Sequence, residues 1–204
     1  MEHNPARAER TLAAWVRIEA WLRRHAPQTH AALPGPAEPS AVEEAEAALG
    51  DLPPELRALW SVLGGGSGPD LQRLGVLRGY DVLPPSMAVW CRVNVLDGIL
   101  EVEEMGSRPW VPACANERFE PYLWNFIDVP TGDLGSNVHA GAFIQPGESG
   151  ETFTTWIEGV ADELHGGPAK ARVVRAGISD GSLLWTDPRD PRRTPSDWAP
   201  VGPA

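Results

Sequence analysis

The segment DLPPELRALWSVLGGG, from Asp51 to Gly66, constrains the fold more than any other, because both ends of its apolar run are closed. Pro53 and Pro54 fit the first positions of a helix, where a missing N–H leaves no bond unmade. Leu56, Leu59, Trp60 and Leu63 recur at i, i+3, i+4 and i+7 and so share one face. Gly64, Gly65 and Gly66 stop the run. The segment therefore predicts a helix of about three turns whose apolar face must be covered by other elements.

The preceding residues supply part of that cover. A first helix is predicted from Ala6 to about His25, with Leu12, Trp15, Val16 and Leu22 on one face and Ile18 and Trp21 widening it. Arg23, Arg24 and His25 occupy the turn where the helix dipole favours cations, and Pro27 ends the run. A loop rich in Pro and Ala follows. Ser40 and Glu43 then have capping-box spacing, and Val42, Ala45 and Leu49 form the stripe of a second helix. Gly50 stands where a left-handed C-terminal cap belongs.

Beyond Gly68 the pattern shifts toward strands. LQRLGVLRGYDVL has the short apolar pieces of a strand or two, and PPSMAVWCRVNVLDGILEVEEM reads as a helix with Met87, Trp90, Val93 and Leu96 at helical spacing. Tyr122 to Val129 is almost continuously apolar, as a central buried strand is. PTGDLGSN reads as a turn and VHAGAFIQ as the return strand. Phe153, Trp156, Ile157, Val160 and Leu164 mark another helix. Asp180–Gly181 between RVVRAG and SLLWTD is a hairpin signal. The Pro-rich stretch from Pro188 onward reads as a loose tail. These elements predict an α+β fold, with helices packed on a mixed or antiparallel sheet over residues 1–167. A hairpin at 168–187 and the tail at 188–204 follow it.

Composition excludes several function classes. With 17 basic against 28 acidic residues the net charge is -11, which disfavours a polyanion such as nucleic acid as partner. No apolar run reaches the length of a membrane span, and the polar start MEHNPARAERTLAAW lacks the apolar core of an export signal. Cys91 and Cys114 are too few for a disulfide framework, so a reducing cytoplasm is the expected compartment.

The strings that suggest chemistry lack the context that chemistry needs. Gly177 to Gly181 spells G-x-S-x-G, but a strand follows Ser179 instead of a helix, and no His lies C-terminal to it. The glycines after the helix at Asp51 follow its negative end, where a phosphate loop would precede the positive one. His139, His165, Cys91 and Cys114 are scattered without metal-ligand spacing, so no metal or cofactor is expected. Glu46 lies on or beside a buried stripe. It reads as a structural acceptor for backbone N–H groups at the next helix start rather than as a general base, because no second catalytic group accompanies it. Asp128, ahead of Pro130, reads as a turn organiser.

Two kinds of residue suggest a partner surface. Glu101, Glu103, Glu104, Glu117 and Glu120 form a candidate acidic patch for a basic partner. Of nine tryptophans, Trp15, Trp60, Trp90 and Trp156 fall on apolar faces and read as core, whereas Trp124 and Trp185 sit in strands where an exposed ring would anchor a partner. Trp198 falls in the tail and is assigned no role.

The order of these motifs resembles the Smi/Knr family of the SUKH superfamily. The first helix, AAWVRIEAWLRRHAP, is followed by EPSAVEEAEAALGDLPPELRALW, with Glu46, Leu49, Gly50, Leu52 and Pro53 at the family's motif positions. RPWVPACANE, with Trp110, is similar to the family's strand entry, and NFIDVPTGDLGSNV, with Asp128 and Pro130, to its strand–turn–strand. FTTWIEGVADEL resembles its final helix. The likeness spans roughly Leu12 to Leu164, and the hairpin beyond it has no counterpart. The resemblance implies helices around a sheet and no catalytic centre. It also implies a protein-binding role, either as the immunity protein of a polymorphic toxin or, as in the fungal branch, as a regulator of cell-wall synthesis. A cognate toxin with a basic surface, such as a nuclease, is the partner expected.

Overall fold

The computed structural model describes residues 5–64, 74–96, 108–116, 124–138, 142–167 and 174–201. The chain opens with α1 (Pro5–His25), the short α2 (Pro27–Ala31), α3 (Pro39–Leu49) and α4 (Pro54–Trp60). Strand β1 (Tyr80–Val82) leads to α5 (Pro85–Cys91), which runs into a π-helical turn (Arg92–Leu96). Strands β2 (Trp110–Asn116), β3 (Trp124–Asp128), β4 (Leu134–Val138) and β5 (Ala142–Ile144) precede α6 (Phe153–Leu164). The chain ends in β6 (Arg175–Ser179), β7 (Ser182–Thr186) and β8 (Ala199–Pro200).

Five strands form one antiparallel sheet in the order β1-β2-β3-β4-β5, and three form a second in the order β7-β6-β8. The fold is α+β, and among the described residues every strand pairing is antiparallel. Four consecutive buried residues, Trp124 to Ile127, show that β3 is covered on both faces. α1 packs against α4 and α6, α3 against α5, and α5 against β2. One continuous apolar core joins Ile18, Leu22, Leu56, Trp60, Phe126, Phe153 and Ile157 with Ala176 and Leu183 of the second sheet.

Local signals set most boundaries. α4 begins at its double proline, with Pro53 as N-cap and Pro54 at the first helical position. α6 carries a capping box in which Thr152 accepts from the Thr155 amide, and its apolar stripe is wholly buried. The β6–β7 turn places both Asp180 (φ 44°) and Gly181 (φ 69°) in the left-handed region, as a two-residue hairpin with this twist requires.

Several elements differ from the sequence reading, each for a local reason. Val16 is 62% exposed, and α1 instead buries Thr11, Ala14, Trp15, Ile18, Trp21 and Leu22. Part of the predicted loop is α2, whose Pro27 stands at a helix start. α3 starts at Pro39 with Glu38 as its N-cap and no side-chain cap bond, so Ser40 and Glu43 lie inside the helix and form no capping box. β4 begins at Leu134, inside the stretch read as turn, because the turn after β3 is complete by Gly132. α5 buries the small residues Ala88 and Cys91 with Pro85 and turns Trp90 outward, 45% exposed, and Val93 of the following π-helical turn is 57% exposed. The tail from Pro188 is folded back as far as Val201, with β8 paired to β6.

Candidate functional site

The outer face of α4 forms one wall of an open groove of about 350 Å³ lined by Leu52, Pro54, Arg57, Ala58 and Ser61. α4 faces the core with Glu55, Leu56, Leu59 and Trp60, so the helical phase leaves Arg57, Ala58 and Ser61 on the opposite side. Trp60 fixes that phase, since its indole N–H donates to the Leu83 carbonyl at 2.8 Å. Arg57 Nη1 donates to Glu46 Oε1 of α3 at 2.8 Å, which holds the guanidinium at the groove. The Ser61 hydroxyl donates to the Ala58 carbonyl at 2.6 Å. These side chains offer an apolar slot edged by a guanidinium–carboxylate pair. They can grip a side chain.

Leu52 lines the groove, Glu46 reaches it through Arg57, and Gly50 and Pro53 cap the facing ends of α3 and α4. Leu52 is buried, 3% exposed, and lines the groove. Gly50 ends α3 at φ 82° and ψ -149°, with its N–H donating to the Glu46 carbonyl at 3.0 Å. This is a positive-φ cap, although its ψ takes it away from the helical left-handed basin. The Glu46 side chain binds Arg57 rather than the backbone N–H groups expected from the sequence.

Trp110, Asp128 and Pro130 form a separate cluster at the β3–β4 turn. The Trp110 indole donates to Asp128 Oδ1 at 3.1 Å, and the Thr131 amide and hydroxyl donate to Oδ2 at 3.2 and 2.8 Å. Asp128 thus organises the turn that contains Pro130, while Trp110 stacks on Phe126 with ring centroids 5.0 Å apart.

The partner-surface residues fare differently. Trp124 is 3% exposed on a strand covered from both sides, so it is a core residue and not a surface anchor. Trp185 is half-buried, with its indole donating to the Val76 carbonyl at 3.2 Å. Glu101, Glu103, Glu104, Glu117 and Glu120 lie outside the described residues, as does His139. The Ser179 hydroxyl donates to Asp197 Oδ1 at 2.7 Å in a hairpin turn.

Two buried charge clusters have no clear sequence signature. Glu55 of α4 is completely buried, and its nearest cation is Arg7, with Nε 3.4 Å from Oε2. Arg7 Nη2 also donates to the Val129 carbonyl at 3.3 Å. Burial pushes the Glu55 carboxyl above its ordinary range, and its own backbone amide and Arg7 only partly offset this. Gly132 closes the cluster at φ 77°, where a Cβ would run into the Arg7 guanidinium. In the second cluster Arg78 donates to both oxygens of Glu163, at 3.0 and 2.7 Å, and Glu151 lies 3.9 Å from its Nη1. Arg78 itself has φ 58°, in a turn whose Leu74 and Gly75 amides donate to Asp81.

Cys91 and Cys114 are buried free thiols, and burial raises the first to about 11 and the second well above its ordinary value. Among the described residues no three His, Cys, Asp or Glu converge as a metal site, and no helix is long and apolar enough to cross a membrane. A scan against protein-family models and a search of curated proteins both find no match for the chain.

Proposed function

We propose that this chain is a Smi/Knr-type binding protein, an immunity protein that neutralises a cognate polymorphic toxin in the cytoplasm by occluding its working surface. The observation that carries this reading is the groove on α4. Three residues of the family-like motif bear on it: Leu52 lines it, Glu46 ties down its Arg57, and Pro53 caps the helix that forms its wall. An apolar slot with a charged edge suits an anchoring side chain of a protein partner. The net charge of -11 would speed encounter with a basic toxin.

The test is affinity capture of the tagged chain from its host, with mass spectrometry of what remains bound. One stoichiometric large partner ending in a toxin-like domain supports the reading, and recovery of cell-wall or signalling proteins instead favours a regulatory scaffold. Ala58→Trp then fills the slot from an outward-facing position. It is expected to weaken capture by about tenfold or more while leaving the melting temperature essentially unchanged. Undiminished capture by this variant would move the interface away from α4.

A further inference from the structure

Residues 188–201 form a strap across the second sheet, and the hold on it is uneven. On one side β6 pairs with β7 along all five of its residues, from Arg175↔Thr186 to Ser179↔Ser182. On the other side it pairs with β8 only at Gly177↔Pro200 and Ile178↔Ala199, extended by the Val201 amide donating to the Ala176 carbonyl at 2.9 Å. Both β8 residues are exposed. The strap is latched by an exposed carboxylate: Asp197 accepts from the Ser179 hydroxyl at 2.7 Å and from the Asp180 amide at 3.1 Å. Its root is closed by Thr194, whose hydroxyl lies 3.0 Å from that of Thr186.

Between latch and strand, the Trp198 indole lies directly on Gly177, where a Cβ would overlap the ring. A glycine in mid-strand marks the close approach of another group, so Gly177 makes an aromatic-sized slot on the edge of β6. The fit is imperfect, because Trp198 Nε1 is buried and finds no acceptor among the described residues. A buried donor without an acceptor loses its hydration and regains nothing. A phenyl ring in the same slot would bury no donor.

We propose that the outer edge of β6 is a strand-binding groove that the chain's own strap occupies in cis. The competing occupant it fits is an extended protein segment carrying a phenyl ring at the place of Trp198 and a carboxylate one residue before it. Such a segment adds to β6 through backbone hydrogen bonds and takes its specificity from the Gly177 slot and the Ser179–Asp180 turn. The inference is independent of the groove on α4, which lies on a different element and has a different lining.

The test uses the full-length chain. In the Asp197→Ala/Trp198→Ala variant both latch and plug are removed, and the probe is a labelled peptide of residues 194–201, made with Trp or with Phe at position 198. Fluorescence polarisation is expected to show saturable binding to this variant, about tenfold or more tighter than to the wild type, with the Phe peptide at least as tight as the Trp peptide. Absence of saturable binding to a variant that still melts cooperatively would overturn the proposal, as would equal binding to both proteins. Hydrogen exchange on the wild-type chain gives a second reading that needs no substitution. The Val201 amide should exchange about tenfold or more faster than the β3 amides, through local opening of the strap. Exchange as slow as in β3 would show a strap that opens only on global unfolding, and that too would overturn the proposal.

Discussion

The two buried arginine–glutamate pairs make a natural comparison. Both join a loop or helix start to a distant element, and both carboxylates are almost wholly shielded, but they differ in how well the charge is satisfied. Arg78 meets Glu163 with two parallel hydrogen bonds, the geometry in which a guanidinium is strongest. Arg7 lies 3.4 Å from Glu55 without a well-formed hydrogen bond to it, and among the described residues no other side chain donates to the Glu55 oxygens. Proximity is shared, and orientation is what separates the pairs. The first works as a bolt between the β1 turn and α6. The second is a poorly satisfied pair under the β3–β4 turn, and burial holds its carboxyl above the ordinary range.

Removing each cation tests this difference. Arg78→Leu leaves Glu163 and Glu151 facing each other with their shared cation gone, and it should cost about 3–5 kcal/mol in denaturant unfolding. Arg7→Ala should cost less near neutral pH, because the contact it removes is longer and less well oriented, and burial already holds the Glu55 carboxyl above its ordinary range. The deficit of Arg7→Ala should shrink in mild acid, where Glu55 takes up a proton. Equal losses in the two variants near neutral pH would erase the distinction between the pairs.

A subtler effect follows from Glu55 alone. Its folded-state carboxyl titrates above the ordinary value of 4.5, so the folded chain binds the extra proton across that interval. The stability it contributes is fully present below 4.5 and is lost as pH rises through the raised folded value. Glu55→Gln removes this loss, so the stability of wild type minus variant should fall as pH rises through the interval. Unfolding free energies measured at several pH values check the sign, and a difference that rises with pH would contradict it.

Neither cluster was legible in the sequence, and the reason is physical. Hydrophobic period identifies which positions face inward, but it does not say which distant residue meets them. Glu46 and Glu55 both lie beside apolar stripes, and only Glu46 stands out in the sequence, through its place next to Val42 and Leu49. Glu55 is the one sealed in, by Arg7 and by a glycine in a turn far along the chain. Three turns and caps were readable because their signals are local, namely the double proline of α4, Asp128 before its turn and Asp180–Gly181, whereas the Ser40–Glu43 capping box did not form because Pro39 starts α3 earlier. Helix phase failed at α5, where small residues pack close against β2 and α3 and leave the larger Trp90 outside. The strap escaped notice because a Pro-rich segment that pairs through two residues has no periodic pattern.

The exposed pair Glu46–Arg57 sets the lower end of the scale. Its 2.8 Å contact is as short as those of Arg78, but the side chains are 36% and 52% exposed, so water competes for both charges. A double-mutant cycle with Glu46→Ala and Arg57→Ala should give a coupling of about 0.2–1 kcal/mol, falling further in high salt. Distance alone would rank this pair with Arg78–Glu163, whereas burial ranks it far below. A coupling above about 2 kcal/mol would exceed what exposed pairs deliver and would mean that the groove on α4 is dehydrated in solution. A small coupling leaves Arg57 free to exchange Glu46 for a partner's carboxylate at little cost in stability, as an edge residue of a binding groove must.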